Sequence, residues 1–119
     1  MSASITPKQF SADIDNIHTD ILWYPYSNVN MVVVTQVGKL GNLLQARQDE
    51  FSQTYSVDVL LGRRDDPLLE VCARQLIERL ALAGDRRNLL LWIALKGETS
   101  TSTIQGILSI IQQHSPWKV

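Results

Sequence analysis

The stretch V-N-M-V-V-V-T-Q-V, from Val29 to Val37, decides the fold of this chain. β-Branched residues dominate it, and such residues fit the pleated surface of a strand. Ser27–Asn28 before the stretch and Gly38 after it favour turns, so they bound it on both sides. Because apolar side chains occupy consecutive positions, we predict a strand that is buried on both faces of its sheet.

Two further strand signals precede this segment. Gln9–Ile14 alternates between apolar and polar side chains, as a half-buried strand does. Ile17–Tyr26 contains isoleucine, tryptophan and two tyrosines, which favour strands. Asp15 and Asn16 separate the two runs, and we therefore predict a hairpin with its turn at these residues.

Two more strands are predicted downstream. Gly38 and Gly41 allow a tight reversal, which places Lys39 on an exposed hairpin turn. The return strand is Gly41–Gln48, and the polar segment Gln48–Gln53 is a loop. Alternating apolar residues then mark a strand: Tyr55, Val57, Val59 and Leu61. The five strands are predicted to form a meander.

After Gly62 the hydrophobic period changes from that of a strand to that of a helix. The apolar residues that recur at helical spacing are Leu69, Cys72, Ala73, Leu76, Ile77 and Leu80. Asp66 suits the N-cap, where its side chain would accept hydrogen bonds from free backbone N–H groups, and Pro67 suits the first helical position. Gly84 suits the C-terminal cap.

A strand and a shorter helix complete the series. Asn88–Lys96 reads N-L-L-L-W-I-A-L-K, which predicts a second strand apolar on both faces. A shorter helix is predicted after the Ser/Thr-rich Thr99–Thr103, and it ends at Ser115–Pro116. Its apolar residues at helical spacing are Ile104, Ile107, Leu108 and Ile111. This order predicts an α+β fold, with a mainly antiparallel six-stranded sheet and two helices on one face. We expect residues 1–119 to form a single domain.

Two helices cover only one face of such a sheet, whereas the strands at Val29–Val37 and Leu89–Leu95 are apolar on both faces. Exposed apolar patches larger than a few hundred Å² are rare on soluble monomers. We therefore expect a dimer that forms through the second face of the sheet, either homotypic or with a related subunit. The alternative is that the N-terminal hairpin folds over this face and closes a barrel-like core.

Composition argues against several classes of function. The 119 residues include 11 Lys and Arg and 12 Asp and Glu, so no strong field attracts nucleic acid or anionic membranes. Arg63–Arg64 and Arg86–Arg87 each adjoin aspartate, which favours solvated loop charges over phosphate sites. A single cysteine, Cys72, favours a reducing compartment, so we expect a cytoplasmic location, with the nucleus as a secondary alternative. Neither secretion nor a membrane span is expected.

No arrangement of residues suits catalysis. His18 and His114 lie far apart and have no neighbours at metal-ligand spacing. Cys72 falls on the apolar stripe of the first helix, which predicts a buried thiol. Asp65–Asp66 is better explained by helix capping than as an acid–base or magnesium pair. Gly38–Gly41 lacks the spacing of a phosphate loop. We therefore expect no enzymatic activity, no metal and no cofactor.

Thr35–Gly41 reads T-Q-V-G-K-L-G and follows M-V-V-V. This strand and turn resemble the signature of the proteasome assembly chaperone 3 family. V-L-L-G at Val59–Gly62, followed by D-P-L at Asp66–Leu68 and an amphipathic helix, is similar to the family in the same order. The resemblance continues through Asn88–Lys96 and the last helix to Trp117.

The resemblance implies a small α+β chaperone that uses neither ATP nor a cofactor. It implies pairing with proteasome assembly chaperone 4, self-association, and binding of early α-ring intermediates until β subunits arrive. The resemblance is weak before Asn28, and Gln45–Thr54 departs from the family pattern. Contacts made by that segment are therefore not carried over from the family.

Charged loops are our candidates for partner contact, because a transient chaperone needs moderate contacts that completion of the ring can displace. We hypothesise that an α subunit is contacted by Lys39, Arg47, Asp49, Glu50 and Phe51. Ordinary solvated turns are the alternative explanation for these residues. Outside the family, the rival function is a dimeric profilin-like or longin-like adaptor or scaffold, which does not require the T-Q-V-G-K-L-G sequence.

Overall fold

The computed structural model describes residues 7–49 and 51–114. Its elements, in chain order, are β1 (Lys8–Ile14), β2 (Ile17–Pro25), β3 (Val29–Thr35), β4 (Asn42–Asp49), β5 (Thr54–Leu61), α1 (Pro67–Leu82), β6 (Asn88–Ala94) and α2 (Thr101–His114). The predicted six strands and two helices are all present. The predicted end of the last helix at Ser115–Pro116, together with Trp117, lies outside the described residues.

The strands form one mixed sheet in the order β1-β2-β3-β6-β4-β5. β3 and β6 are parallel, and every other neighbouring pair is antiparallel. The predicted five-stranded meander is therefore wrong, because β6 lies between β3 and β4. Both β3 and β6 carry apolar side chains at consecutive positions. Two adjacent central positions in the sheet bury these side chains better than a position at its edge would.

The hairpin of β1 and β2 is confirmed. Its turn residues Asp15 and Asn16 have φ angles of 52° and 62°, as a two-residue hairpin turn with the matching twist requires. β2 goes on to pair with β3, so the hairpin extends the sheet at one edge. The alternative in which this hairpin folds over the second face of the sheet is therefore wrong.

The segment between β3 and β4, residues 36–41, is called here the crossing loop. It passes over the carboxyl end of β6, where the backbone N–H of Gln36 donates a hydrogen bond to the Ala94 carbonyl at 2.8 Å. Gly41 has a φ of 69°, and a Cβ at this position would lie 2.6 Å from both the Ala94 Cβ and the Ile93 carbonyl oxygen. The expected hairpin turn around Lys39 is thus replaced by a loop that crosses one strand.

α1 begins at Pro67 as predicted, but the Asp66 side chain makes no capping hydrogen bond. The Asp66 carboxylate instead accepts a hydrogen bond from the Thr99 hydroxyl at 2.6 Å, which ties the start of α1 to the segment before α2. The predicted cap at the other end is confirmed. Gly84, with a φ of 88°, and Asp85 donate their backbone N–H groups to carbonyls of the last turn, as in a Schellman motif.

Both helices cover the same face of the sheet, as predicted. The strands contribute alternate side chains to this core, chiefly Ile21, Val32, Val34, Leu44, Leu89, Leu91 and Ile93. The predicted stripe of α1 is buried against them, and α2 adds Ile104, Ile107, Leu108 and Ile111. Neither of these two described helices has the length and hydropathy that a membrane crossing requires.

Candidate interaction surfaces

The sheet face opposite the helices, called here the open face, carries an apolar row across five strands. The cross-strand neighbours in this row are Leu22, Val33, Trp92, Leu43 and Leu61. A second, shorter row runs beside it through Tyr24, Met31 and Leu90. The predicted second apolar face therefore exists, and the described helices leave it uncovered.

The open face has a crowded centre and an accessible edge. Val33 in the centre is buried by its neighbours, whereas Leu60 and Leu61 at the β5 edge are 44% and 56% exposed. Polar side chains line its two edges: Asp13, His18 and Asp20 on β1 and β2, and Arg47 and Asp58 on β4 and β5. An apolar centre within a polar rim is the usual anatomy of a protein interface.

Lys39 lies on the crossing loop at one end of the strands. Its backbone N–H donates a hydrogen bond to the Thr35 hydroxyl at 3.2 Å, while the residue itself is exposed. Val37 and Leu40 beside it are also exposed. The loop thus combines a positive charge with two accessible apolar side chains.

Arg47, Asp49 and Phe51 lie where β4 passes to β5. Arg47 forms an ion pair with Asp58 on the neighbouring strand, with an N–O distance of 2.8 Å. The Asp49 carboxylate accepts hydrogen bonds from the backbone N–H groups of Phe51 and Ser52, which lower the pKa of this carboxyl. Asp49 therefore stabilises the turn, and Phe51 is left 99% exposed.

The candidate contact residues that the structure describes do not form one site. β4 begins next to the crossing loop and ends at Asp49, so its length separates Lys39 from Arg47, Asp49 and Phe51. Eight residues of strand span roughly 25 Å. Glu50 lies outside the described residues. Whether any of these side chains contacts an α subunit stays a prediction.

Sequence reasoning missed two residues at the Phe51 end of the molecule. Leu82, the last residue of α1, is 85% exposed, and Arg86 in the following loop is also exposed. The sequence carried one signal for this site: Leu82 is an apolar residue that lies outside the apolar stripe of α1. Arg86 belongs to the pair Arg86–Arg87, which we interpreted as solvated loop charge because aspartate adjoins it.

A buried polar network anchors the same end. Asn30, which is fully buried, accepts a hydrogen bond from the Trp23 indole N–H at 3.0 Å and donates one to the Asp85 carboxylate at 3.0 Å. Arg87 donates to Asp85 at 2.9 and 2.6 Å and to the Tyr26 carbonyl at 2.7 Å. Burial raises the pKa of Asp85, but the hydrogen bonds from Arg87 and Asn30 outweigh it and lower this pKa. The network fixes the loop between α1 and β6 to the β2–β3 connection.

The described residues offer no metal site, and their cysteine is not activated. Within residues 7–49 and 51–114, no group of three or more His, Cys, Asp or Glu side chains could hold a metal ion. His18 bonds to Asp20, and the distant His114 stacks on Phe10 with ring centroids 4.6 Å apart. Cys72 is buried as predicted, and this burial raises the pKa of its thiol to about 12.

We expect Cys72 to be almost unreactive in the folded protein, because the reactive thiolate is scarce and the sulfur is covered. With Ellman's reagent at pH 8, the half-time should be at least about 100-fold longer in the native state than in guanidinium chloride. The Cys72→Ser variant supplies the blank. Equal rates in the two states would contradict the burial of this thiol.

The family model for proteasome assembly chaperone 3 matches residues 32–114, from β3 through α2. The chain belongs to the proteasome assembly chaperone 3 family. Proteasome assembly chaperone 3 of Bos taurus is 30% identical over 118 residues, and the match covers 95% of each chain. The Homo sapiens protein is 27% identical with the same coverage. The Nematostella vectensis protein is 30% identical over 89% of this chain and 88% of its own.

The fold is also similar to that of a protein of known structure. A chain from the crystal structure of a chaperone complex for yeast 20S proteasome assembly superimposes with a TM-score of 0.65. The superposition covers 93% of this chain and 98% of the yeast chain, at 15% identity. At this identity the similarity concerns the fold alone.

Proposed function

We propose that this chain is a non-enzymatic chaperone that assists assembly of the α ring of the proteasome core particle. It acts in the cytoplasm as a dimer, without a cofactor, and leaves before the particle matures. Membership of the proteasome assembly chaperone 3 family supports the assembly role. The main support for a dimer is the open face, with its apolar row across five strands.

Exposure of the open face to water is unfavourable. Apolar surface gains about 25 cal/mol per Å² on burial, and monomers rarely leave large contiguous apolar patches exposed. A second sheet packs about 10 Å from the first, with the side chains of the two inner faces interdigitated. A face-to-face dimer therefore covers Trp92 and its neighbours in the row.

The partner that we propose is a related small chaperone of the proteasome assembly chaperone 4 kind, and a second copy of this chain can take its place. The yeast chain of similar fold comes from a chaperone complex, which supports pairing between such proteins. Lys39 on the crossing loop and Phe51 on the β4–β5 turn lie at the ends of the strands. They stay accessible in this dimer and are our proposed contacts with α subunits.

Replacing Trp92 with aspartate is expected to weaken dimerisation at least about 100-fold, because it places a charge in the apolar centre of the interface. Sedimentation equilibrium should then give the monomer mass of 13.4 kDa at concentrations where the parent protein sediments as a dimer. Val71→Asp is the matched control, since Val71 is partly exposed on α1, away from the open face. A parent protein that is monomeric, alone and with the related chaperone, would contradict the proposed dimer.

Affinity purification from native cytosol tests the assembly role. The tagged protein should recover α-type proteasome subunits and a second small chaperone, without mature β subunits, as identified by mass spectrometry. Recovery of coat, cytoskeletal or trafficking proteins in their place would indicate the rival adaptor function.

A further inference from the structure

The end of the molecule that holds Phe51 has a surface groove formed by the β4–β5 turn, the β2–β3 connection and the loop between α1 and β6. Two adjoining depressions, of about 830 and 220 Å³, share Gln48, Asp49 and Arg86. Phe51 lines the larger depression and Leu82 lines the smaller one. We call this surface, defined by these five residues, the end groove.

Phe51 and Leu82 are the two most exposed large apolar side chains of the described chain, at 99% and 85%. Single exposed apolar residues are common on protein surfaces. Two of them in adjoining depressions are different, because aromatic and aliphatic side chains that can be fully desolvated act as anchors in interfaces. The end groove therefore offers two apolar anchors for a partner.

Hydrogen bonds within the chain hold the described backbone beside both anchors. Asp49 holds the turn that carries Phe51 through its hydrogen bonds to two backbone N–H groups. The Schellman motif at Gly84 ends α1 directly after Leu82, and the loop beyond it is held by the ion pair of Asp85 and Arg87. A preorganised surface loses less conformational entropy on binding than a flexible one.

The charged side chains that line the end groove differ in the partners they have. Arg47 pairs with Asp58, and Arg87 pairs with Asp85. The Asp49 carboxylate lines both depressions and keeps its negative charge, which the hydrogen bonds from two backbone N–H groups stabilise. Arg86 lines both depressions and has no hydrogen bond or ion pair to any residue in the ranges 7–49 and 51–114. A guanidinium group in this position is complementary to a carboxylate.

We propose that the end groove binds an acidic peptide segment of its partner, with an apolar side chain between Phe51 and Leu82 and a carboxylate on Arg86. The identification of this partner as a proteasome α subunit rests on the proposed function above. The chemistry of the segment rests only on the groove. The end groove adjoins the open face, because Arg47 lines the larger depression and also the polar edge of that face.

Peptide titration tests the groove without any proteasome subunit. In ¹H–¹⁵N NMR spectra, the synthetic peptide E-D-E-L-F-D-E should shift the backbone amides of Gln48, Leu82 and Arg86, with a Kd below about 1 mM. The same peptide with A-A in place of L-F, and its basic counterpart K-K-K-L-F-K-K, should each bind at least about 10-fold more weakly. Equal binding of all three peptides, or shifts confined to the open face, would overturn the proposal.

Charge reversal separates Arg86 from general electrostatics. Arg86→Glu should weaken binding of the acidic peptide about 10-fold and recover correspondingly less α subunit from cytosol. Arg64→Glu is the matched control: the same change of charge on an exposed loop arginine, at the opposite end of β5. It should alter both readouts less than about 2-fold. Identical effects of the two variants would overturn a specific role for Arg86.

The outcomes distinguish this inference from the proposed function. Recovery of α subunits that is unchanged by Arg86→Glu and by the double variant Phe51→Ser/Leu82→Ser would overturn the groove and leave the assembly role intact. Peptide binding that follows the expected pattern, with no recovery of α subunits by the parent protein, would support the groove and contradict the assembly role.

Discussion

Replacing Gly41 with alanine is expected to lower the free energy of unfolding by about 3–5 kcal/mol. The added Cβ would lie 2.6 Å from the Ala94 Cβ and the Ile93 carbonyl oxygen, and the φ of 69° disfavours any side chain. β6 pairs on both sides, so it cannot move away without losing hydrogen bonds to β3 or β4. Thermal unfolding monitored by circular dichroism should show a fall in Tm of roughly 10–20 °C.

Gly38→Ala is the matched control, because Gly38 lies in the same loop with a φ of 71° but has no atom within 4 Å of an added Cβ. Only the conformational penalty applies there, and we expect a loss of about 1 kcal/mol. The difference between the two variants measures the close approach of the crossing loop to β6. Equal losses would show that the loop is displaced from β6 at little cost, contrary to the structure.

Local patterns predicted every strand and helix, but they did not predict where β6 is inserted. Consecutive strands are neighbours in most sheets, which favoured pairing of β3 with β4. A glycine-containing segment such as Gly38–Gly41 suits a hairpin turn and a crossing loop equally. What distinguishes them is the approach of Gly41 to Ala94, and this contact joins segments that are distant in the sequence.

The two candidate surfaces also differ in how far the sequence alone predicts them. The open face was predictable, because a strand that is apolar on both sides needs cover on both sides, wherever it lies in the sheet. The end groove was not, since Phe51 on the β4–β5 turn is distant in the sequence from Leu82 and Arg86 at the end of α1, and only the tertiary fold brings them together. Residue type alone was also insufficient at Asp66, whose carboxylate binds Thr99 and does not cap α1.

Replacing Asp85 with alanine is expected to lower the free energy of unfolding by about 2–4 kcal/mol. The change leaves the amide N–H of buried Asn30 without its acceptor and leaves the partly buried Arg87 guanidinium without its counter-ion. An unpaired buried donor retains its full desolvation cost, which exceeds the net value of the bond itself. Urea unfolding should show a lower midpoint with an unchanged m-value.

Asp65→Ala is the matched control for this loss. Asp65 forms an ion pair with Arg63, two residues away, as Asp85 does with Arg87, but both members of the Arg63 pair are exposed. Exposed pairs contribute little because water screens them and the side chains lose entropy. A urea midpoint close to that of the parent protein is therefore expected. If Asp65→Ala lowered the free energy of unfolding as much as Asp85→Ala does, the destabilisation would come from loss of the ion pair itself and not from its burial.

The same network predicts a pH dependence that can be assigned to one residue. Because the pKa of Asp85 is lowered in the folded state, its ionised carboxylate stabilises the fold above the unfolded pKa of about 3.9, and this stability is lost as the pH falls through the folded pKa. Asp85→Asn removes the titrating group but keeps an acceptor for Asn30. Between about pH 5 and pH 2 its free energy of unfolding should therefore fall less steeply than that of the parent protein. Parallel curves would show that acid destabilisation arises elsewhere and that Arg87 and Asn30 do not favour the ionised form of Asp85.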